Sequence, residues 1–266
     1  MEQNYNEVDA SKQVIPRTKP YHTTQANWKQ ILSNTNIIPI DQYIWDNENE
    51  INAFLNKLFD MYKNKKYFGY MGRIIYYTGI PEGKEVCDGE HKLITIILIL
   101  NAISKVCNSI SIKTKDRQAK SFAQSIVSNL IEDIYSMPEP TKIVKDFKEN
   151  SKFADYTKIP KILCINPLDY EALCDIHNTY ELITASESDD SDNDGESDDS
   201  DSESNDGKMK NTYTKIYSAY EFITDAVNRR FSKISELKNF YQFIMNDIDL
   251  TVCECSDLKY LSTMFI

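Results

Sequence analysis

Apolar side chains recur at spacings of three and four along residues 48–63, where Ile51, Phe54, Leu55, Leu58, Phe59 and Tyr62 fall on one face. That spacing predicts an amphipathic helix, with Asp46 or Asn47 placed to cap it. The same period predicts helices over 116–135, 211–230 and 234–246, and Asn166-Pro167 marks the start of another that carries His177. A different pattern occupies Leu93–Ile103, which is almost wholly aliphatic and predicts a helix buried on all sides. Short extended pieces are predicted at Ile37-Ile38, 161–165 and 249–253, and a last helix from Asp257. The β-branched and aromatic run after Tyr67 predicts one strand of a hairpin that returns through 84–87.

Charge changes this picture at one place. The formal net charge is −11, but the 21 residues 186–206 hold 11 Asp and Glu and no Lys or Arg. Without them, acids and bases balance at 30 each. The remainder has no basic surplus to advertise nucleic-acid binding. The acidic stretch cannot bury apolar surface and reads as a disordered insertion that could bind basic proteins or be phosphorylated, since Ser186, Ser191 and Ser200 each precede an acid by three residues. Six cysteines without a CxxC pair read as reduced thiols, and the spacings of Cys253, Cys255, Cys174 and His177 are not those of structural zinc motifs. The first 12 residues lack an apolar core, and the Leu93–Ile103 run is shorter than the roughly 20 residues needed to cross a bilayer. The expectation is an intracellular protein with no membrane partner.

Candidate chemistry gathers at one turn. Glu85-Val86-Cys87 breaks at Asp88-Gly89, the polar triplet Glu90-His91-Lys92 follows, and the aliphatic helix begins. A strand, a tight turn and a helix start would present unpaired N–H groups able to hold an anion such as phosphate. Asp88 is placed to cap that helix, and Gly89 lets backbone approach closely. The residues leave two readings open: a capped helix entering a core, or a phosphate-holding turn. Glycine distribution adds to the second. Of seven glycines, Gly69, Gly72, Gly79, Gly83 and Gly89 fall within 21 residues, and hairpin turns account for Gly79 and Gly83 more readily than for the others.

The stretch VCDGEHKLITIILIL resembles the signature of the N-terminal domain of GmrSD-type restriction enzymes, a ParB/sulfiredoxin-like family. The family pattern is a hydrophobic pair, Asp-Gly-Gln-Gln-Arg, then Leu-Thr-Thr and a leucine-rich helix. Here Asp88 and Gly89 match, Lys92 stands for the arginine, Leu93 and Thr95 fall in register, and Glu90 and His91 replace the two glutamines. Ile38-Pro39 and Tyr43-Ile44-Trp45 fit the two ends of the family's Ile-Pro-x-Tyr-Gln-Arg-x-Tyr-x-Trp segment, without its Gln-Arg pair. Gly72, with Arg73 beside it, corresponds to a family glycine on a strand. The resemblance runs from about residue 28 to the end.

What the resemblance implies is an α+β fold: a ParB/sulfiredoxin-like small mixed sheet with helices, followed by a mainly helical domain. The expected organisation is a flexible arm over 1–26, the sheet domain with its DGEHK motif over 27–110, and a helical domain over 111–266 interrupted at 186–206. It further implies a nucleotide-binding module, related to the NTPase and DNA-sensing subunit of modification-dependent restriction systems, without a nuclease domain of its own. A catalytically inactive binding or interaction scaffold is the alternative. Asp88, Glu90 and His91 are the candidate catalytic residues, the first two as carboxylates for Mg2+ or water and His91 as acid or base. Gly72, Arg73, Gly89, Lys92 and Thr95 are the candidates for phosphate. A nucleoside triphosphate with Mg2+ is the expected ligand, DNA is a partner the net charge does not support, and direct DNA cleavage is not expected. Abundant Ile, Asn and Lys suggest an AT-rich genome such as that of a large DNA virus.

Overall fold

The computed structural model describes residues 21–34, 36–38, 43–64, 69–80, 84–114, 121, 162–164, 166, 168–176 and 215–264. The predicted helix over 116–135, His177 and the acidic stretch 186–206 lie outside these residues, apart from Ser121.

An N-terminal mixed α/β region is followed by a largely helical C-terminal one. The elements are β1 (Tyr21–Asn27), α1 (Trp28–Leu32), β2 (Asn36–Ile38), a π-helical turn (Asn47–Ile51) running into α2 (Asn52–Asn64), β3 (Gly69–Tyr77), β4 (Lys84–Asp88) and α3 (Glu90–Thr114). Then come β5 (Ile162–Cys164), α4 (168–176), α5 (Lys215–Arg230), α6 (Ile234–Asp247), β6 (Ile248–Cys255) and α7 (Leu258–Met264). One six-stranded sheet orders them β1-β6-β3-β4-β2-β5. The β1–β6 and β3–β4 pairs are antiparallel, and the β6–β3, β4–β2 and β2–β5 pairs are parallel.

Two expectations about the chain's organisation differ from this sheet. Residues 1–20 lie outside the described ones, and residues 21–26, expected within an arm over 1–26, form with Asn27 a strand in continuous register with β6, from Tyr21 opposite Cys255 to Asn27 opposite Asp249. Its mostly exposed, polar side chains hide the strand from a hydrophobic pattern; the backbone ladder supplies the pairing. The second difference concerns the boundary near residue 110. β6 lies between β1 and β3 at the heart of the sheet, so the helical half of the chain returns to complete it. One cluster of buried side chains includes Trp28, Leu58, Ile74, Leu98, Ile223, Phe240 and Leu250, drawn from both halves.

The organising element is α3. It begins at Glu90, three residues before the aliphatic run, and every residue from Leu93 to Ser104 is buried. It is long and apolar enough to cross a membrane by length and composition, yet 78% of its most apolar stretch is buried against the rest of the protein, as a core helix would be. α5 and α6 pack against it. On the opposite face of the sheet, α7 covers a smaller cluster of Ile75, Cys255 and Leu261, with Cys87 and Cys253 at its border. All six cysteines are free thiols.

Local capping follows the sequence. Asn27 caps α1 through a reciprocal box, its side chain accepting from Gln30 N while Gln30 accepts from Asn27 N. Asp46 caps the π-turn by accepting from Asn49 N at 2.8 Å. Asn166 accepts from Leu168 N and Asp169 N at the start of α4.

Candidate functional site

Two bulges shape the turn between β4 and α3. The β3–β6 register jumps from Tyr70 opposite Asp249 to Arg73 opposite Thr251, which inserts one extra residue into β3 beside Gly72. The β3–β4 register jumps from Ile75 opposite Asp88 to Tyr76 opposite Val86, which inserts Cys87 into β4. Bulges bend a strand and re-aim its side chains. Here they bring Arg73 and Asp88 together, with Arg73 Nε donating to Asp88 Oδ2 at 3.1 Å. The expected cap is therefore corrected: the Asp88 carboxylate turns to Arg73, and Leu93 N closes the first helical turn on Gly89 O.

Both bulge-side glycines are needed for their backbone. Gly72 has φ of +90° and Gly89 has φ of +100°, in the left-handed region that side chains resist. A Cβ on Gly89 would stand 3.0 Å from Ile74 Cγ1 and 3.2 Å from Arg73 O, so β3 and the turn touch backbone to backbone. A Cβ on Gly72 would stand 3.3 Å from Lys92 Nζ, and Lys92 Nζ donates to Arg73 O at 3.3 Å. Gly72, Arg73, Asp88, Gly89 and Lys92, named from separate stretches of sequence, thus form one contiguous patch. It sits at the N-terminus of a 25-residue helix, whose first N–H groups lack intrahelical acceptors and whose dipole favours an anion.

Thr95 does not join that patch. It is fully buried, its hydroxyl donates to His91 O at 2.7 Å, and it accepts from Tyr43 OH at 2.7 Å. It ties the first turn of α3 to Tyr43. Glu90 and His91 lie on the helix tip with one buried atom each left without a hydrogen-bond partner, Glu90 Oε2 and His91 Nδ1.

His91 is enclosed by residues the motif alone does not reveal. Its ring meets Tyr43 edge-on at 5.5 Å and lies 5.9 Å from Trp45, which in turn packs on Phe54. Burial lowers the His91 pKa from its ordinary value, and the carboxylates of Glu90, Asp169 and Glu50 act in the opposite sense. Asp169, buried on α4, accepts from Tyr43 N at 2.6 Å. Its pKa is raised by burial, against the pull of that hydrogen bond and of His91. The sequence signal for Asp169 is an acid in the first turn of the helix that Asn166 caps, a position that usually serves the helix itself.

Among the described residues, no group of three or more His, Cys, Asp or Glu side chains is arranged to hold a metal ion. No protein-family model matches the chain, and no curated protein matches it.

Proposed function

We propose that the chain is a nucleotide-binding module built on a ParB/sulfiredoxin-like scaffold, with the phosphates held at the turn from Asp88 to Lys92. The convergence of Gly72, Arg73, Gly89 and Lys92 on the tip of α3 carries this reading. Two cationic side chains, two glycines in the left-handed region and a row of free helical N–H groups are what a phosphate chain requires. Lys92 brings a point charge in place of the fork of an arginine, and Arg73 supplies the planar donor set. A Mg2+ ion arriving with a triphosphate would take most of its ligands from phosphate and water, with Asp88 and Glu90 as the carboxylates at the turn.

A second reading, a binding scaffold without hydrolysis, is favoured by one observation. Arg73 is already paired with Asp88, which spends part of its charge, and Glu90 adds a negative charge to the helix tip where the resembled family has a neutral glutamine.

A thermal-shift titration with ATP, GTP, UTP and CTP, each with and without Mg2+, tests binding. A ligand at about 100 times its Kd adds roughly 2.7 kcal/mol, a readily measured shift. Loss of the shift in Lys92→Ala and Arg73→Ala places the phosphates at the turn, and phosphate release then separates hydrolase from scaffold. Absence of a shift with every nucleotide overturns the proposal.

A further inference from the structure

A cleft of about 400 Å3 opens beside the tip of α3, between the π-turn and the first turn of α5. Its walls are Trp45, Asp46, Asn47, Glu48, Lys215 and Ser218. It lies within the size range of small-molecule sites. Its two sides are cross-linked: Asn47 Nδ2 donates to Ser218 Oγ at 2.8 Å and to Ser218 O at 3.2 Å, and Lys215 Nζ donates to Ile44 O at 3.2 Å. Residues 171 positions apart in sequence therefore tie the two sides of the cleft together.

One wall is aromatic. The Trp45 indole is half-buried against the core, braced by Phe54 at 5.6 Å and by His91 at 5.9 Å, and contributes to the cleft wall. His91 is two residues from Gly89, so the indole adjoins the helix tip assigned above to phosphate. The polar lining carries both donors and acceptors. Asp46 accepts from Asn49 and Lys215 donates to Ile44 O with N–H groups to spare, while the Glu48 carboxylate and Asn47 Oδ1 are acceptors able to meet donors on a ligand.

We infer that this cleft is the base subsite of the nucleotide. A nucleobase stacks on Trp45, and its edge presents adjacent N–H donors to the Glu48 carboxylate, as the N1 and N2 edge of guanine does. The phosphates then reach the Gly89–Lys92 turn past His91. This inference rests on the nucleotide reading but involves a different set of residues. Uracil, with one donor flanked by two carbonyls, offers the Glu48 carboxylate no adjacent pair of donors.

The chain carries its own reporter. Its two tryptophans are Trp28, fully buried, and Trp45, so a stacked base quenches Trp45 emission and leaves Trp28 unchanged. The experiment titrates the full chain with GTP, UTP, guanosine and inorganic tripolyphosphate, following fluorescence and, in parallel, binding heat. The expected result is quenching by GTP and guanosine, retained in Trp28→Phe and absent in Trp45→Phe, with UTP weaker and tripolyphosphate binding without quenching. Because base stacking contributes substantially, Trp45→Leu should weaken GTP about tenfold or more while leaving tripolyphosphate unaffected. Glu48→Gln, on the exposed rim, should erase the preference for GTP over UTP without a folding penalty. If tripolyphosphate binds but guanosine does not quench, and Trp45→Leu leaves GTP affinity intact, the base subsite is overturned and the phosphate turn stands. Guanosine binding without tripolyphosphate binding supports the cleft and overturns the turn, and binding of neither overturns both.

Discussion

Asp169 accepts the backbone N–H of Tyr43 at 2.6 Å, joining α4 to the segment before the π-turn across 126 positions of sequence. Tyr43 in turn holds Thr95 through its hydroxyl, and Thr95 holds His91 O. One carboxylate therefore anchors the loop that lies against the helix tip. Replacing it with Ala leaves the Tyr43 N–H buried and unpaired, which costs about 1–3 kcal/mol. Asp169→Asn keeps an acceptor and should cost much less. Urea unfolding of the two variants checks the difference, and equal losses would remove Asp169 from this role.

His91 gives the fold a pH dependence of defined sign. Its folded pKa lies below the ordinary value near 6.5, so the unfolded chain takes up this proton more readily. The stability linked to His91 is thus full above about pH 6.5 and lost as pH falls through the lower folded value. Asp169 acts oppositely, because its folded pKa is raised: stability linked to it is lost as pH rises through that value. Unfolding of wild type and His91→Gln between pH 5 and 8 should converge at the upper end and separate below 6.5, with the variant less pH-dependent. An NMR titration of the imidazole in Asp169→Asn should show its pKa falling further, since a carboxylate that raises it is gone.

The two left-handed glycines are not equivalent. Gly89→Ala drives a Cβ against Ile74 and against the Arg73 carbonyl, which the sheet holds in place. Gly72→Ala meets only the mobile end of Lys92. Both suffer the backbone cost of roughly 1–2 kcal/mol, and Gly89→Ala should lose a further increment from the clash. Equal midpoints in urea would contradict the close approach of turn and strand.

The Arg73–Asp88 pair is partly exposed, and such pairs contribute about 0–1 kcal/mol to stability. Arg73→Ala should therefore unfold almost as wild type does while losing nucleotide. Asp88→Asn frees the guanidinium and should tighten binding of Mg2+-free triphosphate. If Asp88→Asn instead weakens it, the carboxylate contacts the ligand side and the pair is not a brake on anion binding.

Local signals were legible and long-range ones were not. The periodicity of Phe54, Leu55 and Leu58 announces α2 because a helix buries one face at a fixed period, and these three side chains are buried. The crowding of glycine into 69–89 pointed to the turn, and Gly72 and Gly89 hold positive φ there. β1 was invisible because YHTTQAN is polar and its pairing depends on a strand more than 200 residues away. Asp169 was invisible for a related reason: its position suits helix capping, and only the packing of α4 beside Tyr43 turns the carboxylate to another use. The Cys87 bulge left no mark in composition, since it is a mismatch between two registers and no residue type encodes it.

The place of β6 also sets a timetable for synthesis. β3 emerges from the ribosome with one edge satisfied by β4, while the neighbour for its other edge, β6, lies about 170 residues further on. At 5–20 residues per second that edge waits roughly 10–30 seconds. During this interval a bare strand edge with aromatic and β-branched side chains is open to any other chain within reach. β1 waits longer still, because among the described residues its partner in the sheet is β6. The nascent protein is therefore exposed to misassembly from the emergence of β3 until β6 pairs with it, and chaperones that shield strand edges would have their greatest effect before residue 255 leaves the tunnel.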